Sequence, residues 1–215
     1  MAGDLIEAIK AQNEERVRAL LEERPDLAEA RDDAGVSALM LTHYYGIEGA
    51  AVRAARRSPL DVFEAATVGD LDRLRALLDE EPELARARSS DDTTALHFAA
   101  FFSQPEAARL LLERGADPHA VSPTFGNVTP LHSAAAARNG DTVRALLDAG
   151  ADANARQGGG FTAIHAAAQN GDPEMLDDLL AHGADPTLAT DEGRTAADFA
   201  AEQGHEQLAA RLRSG

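Results

Sequence analysis

The sequence predicts an all-α solenoid in which short helix pairs stack along one axis. Four similar segments, TALHFAA, TPLHSAA, TAIHAAA and TAADFAA, begin with threonines that lie 35, 33 and 33 residues apart, at Thr94, Thr129, Thr162 and Thr195. The apolar residues are rich in alanine and leucine, which favour helices over strands. One repeat of this size cannot bury its apolar face alone, so neighbouring repeats must stack.

Each repeat carries the start and stop signals of two helices. A threonine before an apolar run is typical of a helix N-cap, and Pro130 at the next position suits the first helical turn. Ser103 with Glu106 resembles a capping box for a second helix. A glycine follows the second apolar run, 21 residues after each of the first three threonines, at Gly115, Gly150 and Gly183. These glycines predict helix ends in the left-handed conformation, and each unit should end in a hairpin-like connection.

The first half of the chain shows a longer period. Residues 4–31 align with residues 61–88 at an offset of 57. We therefore expect one domain over residues 1–215, in which 1–60 and 61–115 form a duplicated two-repeat unit and 195–215 a C-terminal capping repeat. About seven helix pairs are predicted, which begin near Asp4, Ser37, Asp61, Thr94, Thr129, Thr162 and Thr195.

A period near 33 residues with the motif T-P-L-H-x-A resembles the ankyrin-repeat family. The resemblance extends from about residue 4 to about residue 213, and more narrowly the chain is similar to bacterial single-domain ankyrin-repeat proteins. It implies a non-enzymatic module that binds another protein in a concave groove. It also implies a structural role for the motif histidines and the capping threonines, which here are Thr94, His97, Thr129, His132, Thr162 and His165.

Composition and charge exclude several functional classes. A net charge of −17 would repel nucleic acid, which needs a basic binding face. There are no cysteines for thiolate metal sites or nucleophiles, and no segment is apolar for long enough to cross a membrane. The N-terminal MAGDLIEAIK lacks the basic and apolar regions of a signal peptide. We therefore expect a cytoplasmic monomer without catalytic residues, cofactor, metal, nucleic acid or membrane.

Two aromatic doublets stand out because only 4% of the residues are aromatic. Tyr44-Tyr45 and Phe101-Phe102 occupy the same two positions at the end of a repeat's first helix. In the ankyrin family this row varies and lines the groove. Leaving each ring exposed would lose about 1.5–3 kcal/mol of the free energy that its burial contributes. The rings therefore either anchor a partner or fold onto neighbouring helices and the connection 121–128, and their shared place on the variable row slightly favours the partner.

The predicted partner-binding surface combines this row with the tips of the connections. From the row it takes Tyr44, Tyr45, Phe101, Phe102, Gln169 and Asn170. From the tips it takes Asp91, Asp92, Thr93, Phe125, Asn127, Phe161, Asp191, Glu192 and Arg194. Its acidic rim favours a partner with a basic patch. Two alternatives stay open: an enzyme with a small substrate in a pocket that motifs do not reveal, and a stability-selected repeat scaffold without a dedicated partner.

Overall fold

The computed structural model describes residues 2–214, except for the side chain of Ala2, and these residues form fourteen α-helices in seven pairs. The helices are α1 Ala2–Lys10, α2 Glu14–Glu23, α3 Ala38–Tyr44, α4 Ala50–Ala55, α5 Val62–Val68, α6 Leu71–Glu80, α7 Ala95–Phe101, α8 Pro105–Glu113, α9 Pro130–Ala136, α10 Gly140–Asp148, α11 Ala163–Asn170, α12 Pro173–Ala181, α13 Ala196–Glu202 and α14 Glu206–Ser214. The all-α solenoid expected from the repeats is confirmed.

The helices lie in two layers. Each odd-numbered helix from α1 to α13 packs against the next odd-numbered helix, and α6, α8, α10 and α12 pack in the same order behind them. Close stacking is possible because the inner helices meet through pairs of alanines with no exposed surface, such as Ala99-Ala100 and Ala134-Ala135. One core of leucine, isoleucine and alanine runs between the layers through all seven pairs.

The helix ends follow most of the sequence signals. Gly115 and Gly150 have φ angles of +86° and +88°, as expected for left-handed helix stops. The capping box expected from Ser103 is wrong. Ser103 itself takes a left-handed φ of 56°, and Gln104 becomes the N-cap of α8 without a side-chain cap hydrogen bond.

The connections are hairpin-like, as predicted. Four of them are closed by an isolated antiparallel bridge, between Arg31 and Ser37, Arg88 and Thr94, Ser122 and Val128, and Ala189 and Thr195. The two N-terminal PDLA and PELA segments form matching 3₁₀ turns, Pro25–Glu29 and Pro82–Arg86, separated by the same offset of 57 seen in the sequence.

A buried ion pair joins the second repeat to the third. Arg56 lies in the short connection after α4, and its guanidinium donates to both oxygens of Glu64 in α5, at 2.7 and 3.0 Å. Only 6% and 1% of these side chains are exposed. Glu64 occupies the position that His97 holds in the next repeat, so a carboxylate replaces the usual histidine where this arginine reaches it.

Candidate functional site: an aromatic cleft between helix ends and connection tips

Three of the four doublet rings form one cluster. The ring of Tyr44 contacts the rings of Phe101 and Phe102, with centroids 6.2 and 5.1 Å apart. Phe102 also meets His43 edge to face at 5.7 Å. Tyr45 lies outside the cluster: it packs half-buried on the core, and its carbonyl accepts a hydrogen bond from Gln12 at 3.0 Å.

The cluster is partly buried on one side and exposed to solvent on the other. Tyr44 and Phe102 are half-buried, whereas Phe101 keeps 46% of its surface exposed. Tyr44 and Phe102 therefore fold onto neighbouring rings, as one of the two sequence alternatives proposed, whereas partner anchoring stays a prediction. The rings support one another across repeats, and Phe101 still presents a large apolar surface to solvent.

Beside the cluster lies a small pocket, which we call the aromatic cleft. Four residues from the predicted surface line it: Tyr44, Thr93, Phe101 and Phe125. Its walls are mainly apolar, and it holds a volume of about 180 Å³. Phe125 stands at the tip of the connection 121–128 with 52% of its surface exposed, so the cleft has an open apolar margin.

Six further residues line the cleft that sequence reasoning did not select: Phe98, Ser122, Val128, Ser133, Ala136 and Gln157. Ala136 occupies the same row as Phe101, so the row itself is a signal that could have identified it. Phe98 lies inside the repeat motif and Gln157 in a connection, and the sequence does not show that they share one pocket.

Burial and one acidic side chain set the electrostatics of the cleft. The pKa of Tyr44 is raised well above its usual value, first by burial and then by the nearby charge of Asp91. Within residues 2–214 the Asp91 carboxylate accepts a hydrogen bond from Ser89 but joins no salt bridge. The neighbouring Asp92 is instead paired with Arg88 at 3.1 Å. Asp91 is therefore the charge that makes the edge of the cleft negative.

Two motif histidines form the floor of the cleft and are fixed in one tautomer. His132 Nδ1 accepts from the Thr129 backbone N–H at 3.2 Å, and its Nε2 lies 3.0 Å from the Ala155 carbonyl in the next connection. Because a carbonyl only accepts, Nε2 carries the proton. His97 Nδ1 instead lies 2.8 Å from the Thr94 hydroxyl, and its Nε2 donates to the Val128 carbonyl at 3.0 Å.

The third motif histidine repeats this arrangement. His165 Nδ1 accepts from the Thr162 backbone N–H at 3.1 Å, and Nε2 donates to the Leu188 carbonyl at 3.1 Å. Burial is the main cause that lowers the pKa of all three imidazoles, to about 4 for His97. With both nitrogens occupied and the neutral form favoured, these rings tie repeats together and are poorly placed for proton transfer.

Of the other predicted residues of the first tips, Thr93 lines the cleft, whereas Asp92 and Asn127 do not. Thr93 is buried, and its hydroxyl pairs with that of Ser122 at 2.8 Å, which links two connections. Asp92 is exposed with a φ of 59°, and Asn127 is exposed with a φ of 61°. Asn127 borders a different depression from the aromatic cleft.

Most predicted side chains at the C-terminal tips contact other residues of the protein. Phe161 packs against Phe199 with centroids 5.2 Å apart, and Arg194 lies 3.9 Å above the Phe199 ring. Asp191 is paired with Arg156 at 3.3 Å, while Glu192 is exposed. Of this group, the two acidic residues remain accessible at the rim, and Phe161 and Arg194 contribute largely to packing.

A polar depression adjoins the aromatic cleft. Gln157 and Ala136 line both, and Gln169 and Asn170 line the polar one. Gln169 is exposed, whereas Asn170 is half-buried and donates to the Ala135 carbonyl at 3.2 Å across the repeat boundary. The two pockets together form a continuous strip along the ends of α7, α9 and α11.

The described residues offer neither a metal site nor a membrane span. In the part of the chain that the structure describes, no three His, Cys, Asp or Glu side chains converge as a metal ion would require. No helix within residues 2–214 combines the length and apolar character needed to span a bilayer.

Comparison with known proteins identifies the repeats. The family model described as ankyrin repeats (3 copies) matches residues 62–157 and 131–215, which together make up more than half of the chain. The E3 ubiquitin-protein ligase XB3 of Oryza sativa subsp. japonica is 48% identical over 63 residues. That alignment covers 29% of this chain and 14% of the ligase, so the chain matches only a small part of that relative's length.

Proposed function

Because the chain belongs to the ankyrin-repeat family, we propose that it is a non-enzymatic module that binds a partner protein. The binding surface is the concave groove formed by the ends of the odd-numbered helices and the tips of the connections. We call this surface the groove face. We further propose that the module acts as a monomer in the cytoplasm.

The observation that carries this proposal is the aromatic cleft. Three large hydrophobic side chains are exposed among the described residues, at Phe101, Val121 and Phe125, and two of them border the cleft. Large exposed apolar side chains grouped around a pocket are typical of protein interaction sites. A scaffold without a partner would have no use for two half-exposed rings beside one pocket.

Charge supports a basic partner. The net charge is −17, and Asp91, Asp191 and Glu192 lie at the tips of the groove face. Complementary charge of this kind raises association rates at low salt and disfavours acidic competitors. We therefore expect the partner to carry lysine or arginine at the positions that approach the tips.

An enzyme is less well supported than a binding module. Acid–base chemistry needs converging groups that are free to exchange protons. The two histidines of the aromatic cleft are held on both ring nitrogens by scaffold bonds. The half-buried polar groups of the cleft are the Gln157 amide and the Tyr44 hydroxyl, which suit recognition better than proton transfer.

The test of the proposed function reverses charge on the groove face without touching the cleft. The binding variant is Gln169→Arg/Glu192→Arg. Its matched control is Ala149→Arg/Glu113→Arg, at exposed positions near the C-terminal ends of the outer helices α10 and α8. Both variants raise the net charge by three, so a general charge effect is the same in each.

A partner is first captured from native lysate by the wild-type chain, identified, and prepared in pure form. We expect the groove-face variant to weaken its binding at least tenfold, while the control binds within twofold of wild type. Equal weakening by both variants, or by the control alone, would refute binding through the groove face.

A further inference from the structure

We propose that the aromatic cleft takes one phenylalanine or leucine side chain from an extended segment of the partner, with a lysine or arginine next to that residue. This inference rests on the proposed function and specifies the chemistry of the partner. It commits to a peptide segment rather than to a free small molecule or a second copy of this chain.

The size of the cleft favours a single side chain. An apolar cavity of about 150 Å³ is large enough to hold a benzene ring. The cleft offers about 180 Å³. Sites for small-molecule ligands are usually larger, from about 300 to 1,000 Å³. The space therefore suits one ring or one branched aliphatic group, attached to a backbone that stays outside.

The margins of the cleft are built for apolar contact. Phe101 and Phe125 stand on opposite elements, α7 and the connection 121–128, and each is about half exposed. A side chain inserted between them would cover both rings as well as itself. Burying a phenylalanine side chain is favourable by about 1.5–3 kcal/mol, and covering each ring would contribute part of this free energy to binding.

Charge complementarity selects the residue beside the anchor. The field of Asp91 reaches Tyr44 and His97 in the wall and floor of the cleft. Arg88, the nearby cation, is paired with Asp92, but its field opposes that of Asp91 at His97, so the charge of Asp91 acts mainly at the Tyr44 wall of the cleft. A lysine or arginine next to the anchor would meet the Asp91 carboxylate. An aspartate or glutamate there would be repelled.

The polar depression beside the cleft indicates the direction in which the bound segment runs. Gln157 and Ala136 border both the cleft and the polar depression that contains Gln169. Amide side chains can donate to and accept from a peptide backbone. The segment therefore runs from the cleft towards α11, parallel to the row of helix ends.

The test uses defined eleven-residue peptides in a glycine–serine host. The central triplet is Arg-Phe-Arg, with Arg-Ala-Arg and Glu-Phe-Glu as the anchor and charge controls. Binding is measured by NMR titration of the full chain, with the Tyr44 and Phe101 ring signals as reporters. We expect Arg-Phe-Arg to bind at least tenfold more tightly than either control.

A variant that fills the cleft supplies the second arm. Ala136 is exposed at the end of α9, so Ala136→Leu places a side chain in the cleft without disturbing buried packing. Ala149→Leu makes the same change at an exposed site on the outer helix α10. We expect Ala136→Leu to weaken binding of the Arg-Phe-Arg peptide at least tenfold. Ala149→Leu should leave the affinity for this peptide unchanged.

Three results would overturn the inference. They are equal binding of Arg-Phe-Arg and Arg-Ala-Arg, tighter binding of free N-acetylphenylalaninamide than of the peptide, and dimerisation of the wild type that Ala136→Leu abolishes. If the peptides fail while the charge-reversed groove-face variant still loses the identified partner, only the anchor inference falls. If that variant also keeps the partner, the proposed function falls with it.

Discussion

The ring of Tyr44 meets the ring of Phe102 edge to face at 5.1 Å, although a whole repeat lies between their helices. The intervening helix, α5, offers only Thr67 and Val68 in this row, and Thr67 is fully buried. Small residues there leave room for the rings of α3 and α7 to meet. The two doublets are therefore in contact, and a substitution in one should change the packing of the other.

The first prediction separates the supporting ring from the exposed one. Phe102→Ala should lower the free energy of unfolding by about 2 kcal/mol, below the range for fully buried phenylalanines because Phe102 is half-buried. Phe101→Ala should cost less than about 1 kcal/mol because nearly half of the ring is already exposed. Urea unfolding of both variants checks this.

A double-mutant cycle tests the link between the doublets directly. Tyr44→Ala and Phe102→Ala should show a coupling energy of about 0.5–1.5 kcal/mol, as aromatic pairs do. Additive effects of the two changes would mean that the ring contact contributes nothing to stability.

The second prediction concerns acid sensitivity from the motif histidines. His97 has its pKa lowered by burial from 6.5 to about 4, so the unfolded chain binds a proton that the folded chain does not between these values. The contribution of His97 to the free energy of unfolding is fully present above pH 6.5. It is lost as the pH falls towards 4, by about 3 kcal/mol in total. His97→Gln should therefore flatten the slope of unfolding free energy against pH over that window.

His182 supplies the control for that measurement. Its pKa is raised, first by the Asp178 backbone carbonyl, so its contribution has the opposite sign and is lost as pH rises. His182→Gln should not flatten the slope between pH 4 and 6.5. If His97→Gln leaves the slope as steep as in wild type, His97 is not held neutral in the fold.

The third prediction concerns the buried pair at the second repeat boundary. Glu64→Gln leaves the buried Arg56 guanidinium with only the longer, 3.6 Å contact to the half-buried Glu29 carboxylate, and its Nε already lacks a hydrogen-bond partner within the described residues. We expect a loss of about 3–5 kcal/mol in unfolding free energy.

The matched control removes a carboxylate from a surface pair. Asp79 accepts from Arg114 at 2.5 Å, with 62% of the aspartate side chain exposed. Asp79→Asn should cost less than about 1 kcal/mol. A similar cost for both substitutions would show that burial of the Arg56–Glu64 pair has no energetic consequence.

The fourth prediction compares two glycines. Gly115 has a φ of +86°, so Gly115→Ala should destabilise by about 1–2 kcal/mol through backbone strain. Gly140 begins α10 without a positive φ, and an added Cβ there would have no atom within 4 Å. Gly140→Ala should stabilise by about 0.4–1 kcal/mol, because alanine restricts the unfolded chain. Thermal unfolding of the two variants should shift in opposite directions.

Much of the fold could be predicted from the sequence because its signals are local and recur. The left-handed glycines and the threonine–histidine positions each act within one repeat or its neighbour, and repetition averages out single errors. Ser103 shows the limit: its spacing to Glu106 suggested a cap, but the turn placed it one residue too early, in a left-handed conformation.

The candidate site was less predictable because it depends on distances between repeats. The shared row pointed to Tyr44 and Phe101, yet it also selected Tyr45, which packs on the core instead. Phe161 was expected at a binding tip and packs against Phe199. Which rings meet across α5 depends on the stacking geometry of three repeats, and no single motif encodes that geometry.

The most direct test is the dissociation constant of the purified, identified partner for wild type, Ala136→Leu and Ala149→Leu. All three proteins should unfold at nearly the same temperature, because both substitutions are at exposed alanines. We predict at least tenfold weaker binding by Ala136→Leu and wild-type binding by Ala149→Leu. Equal affinity of all three for the partner would contradict recognition through the aromatic cleft.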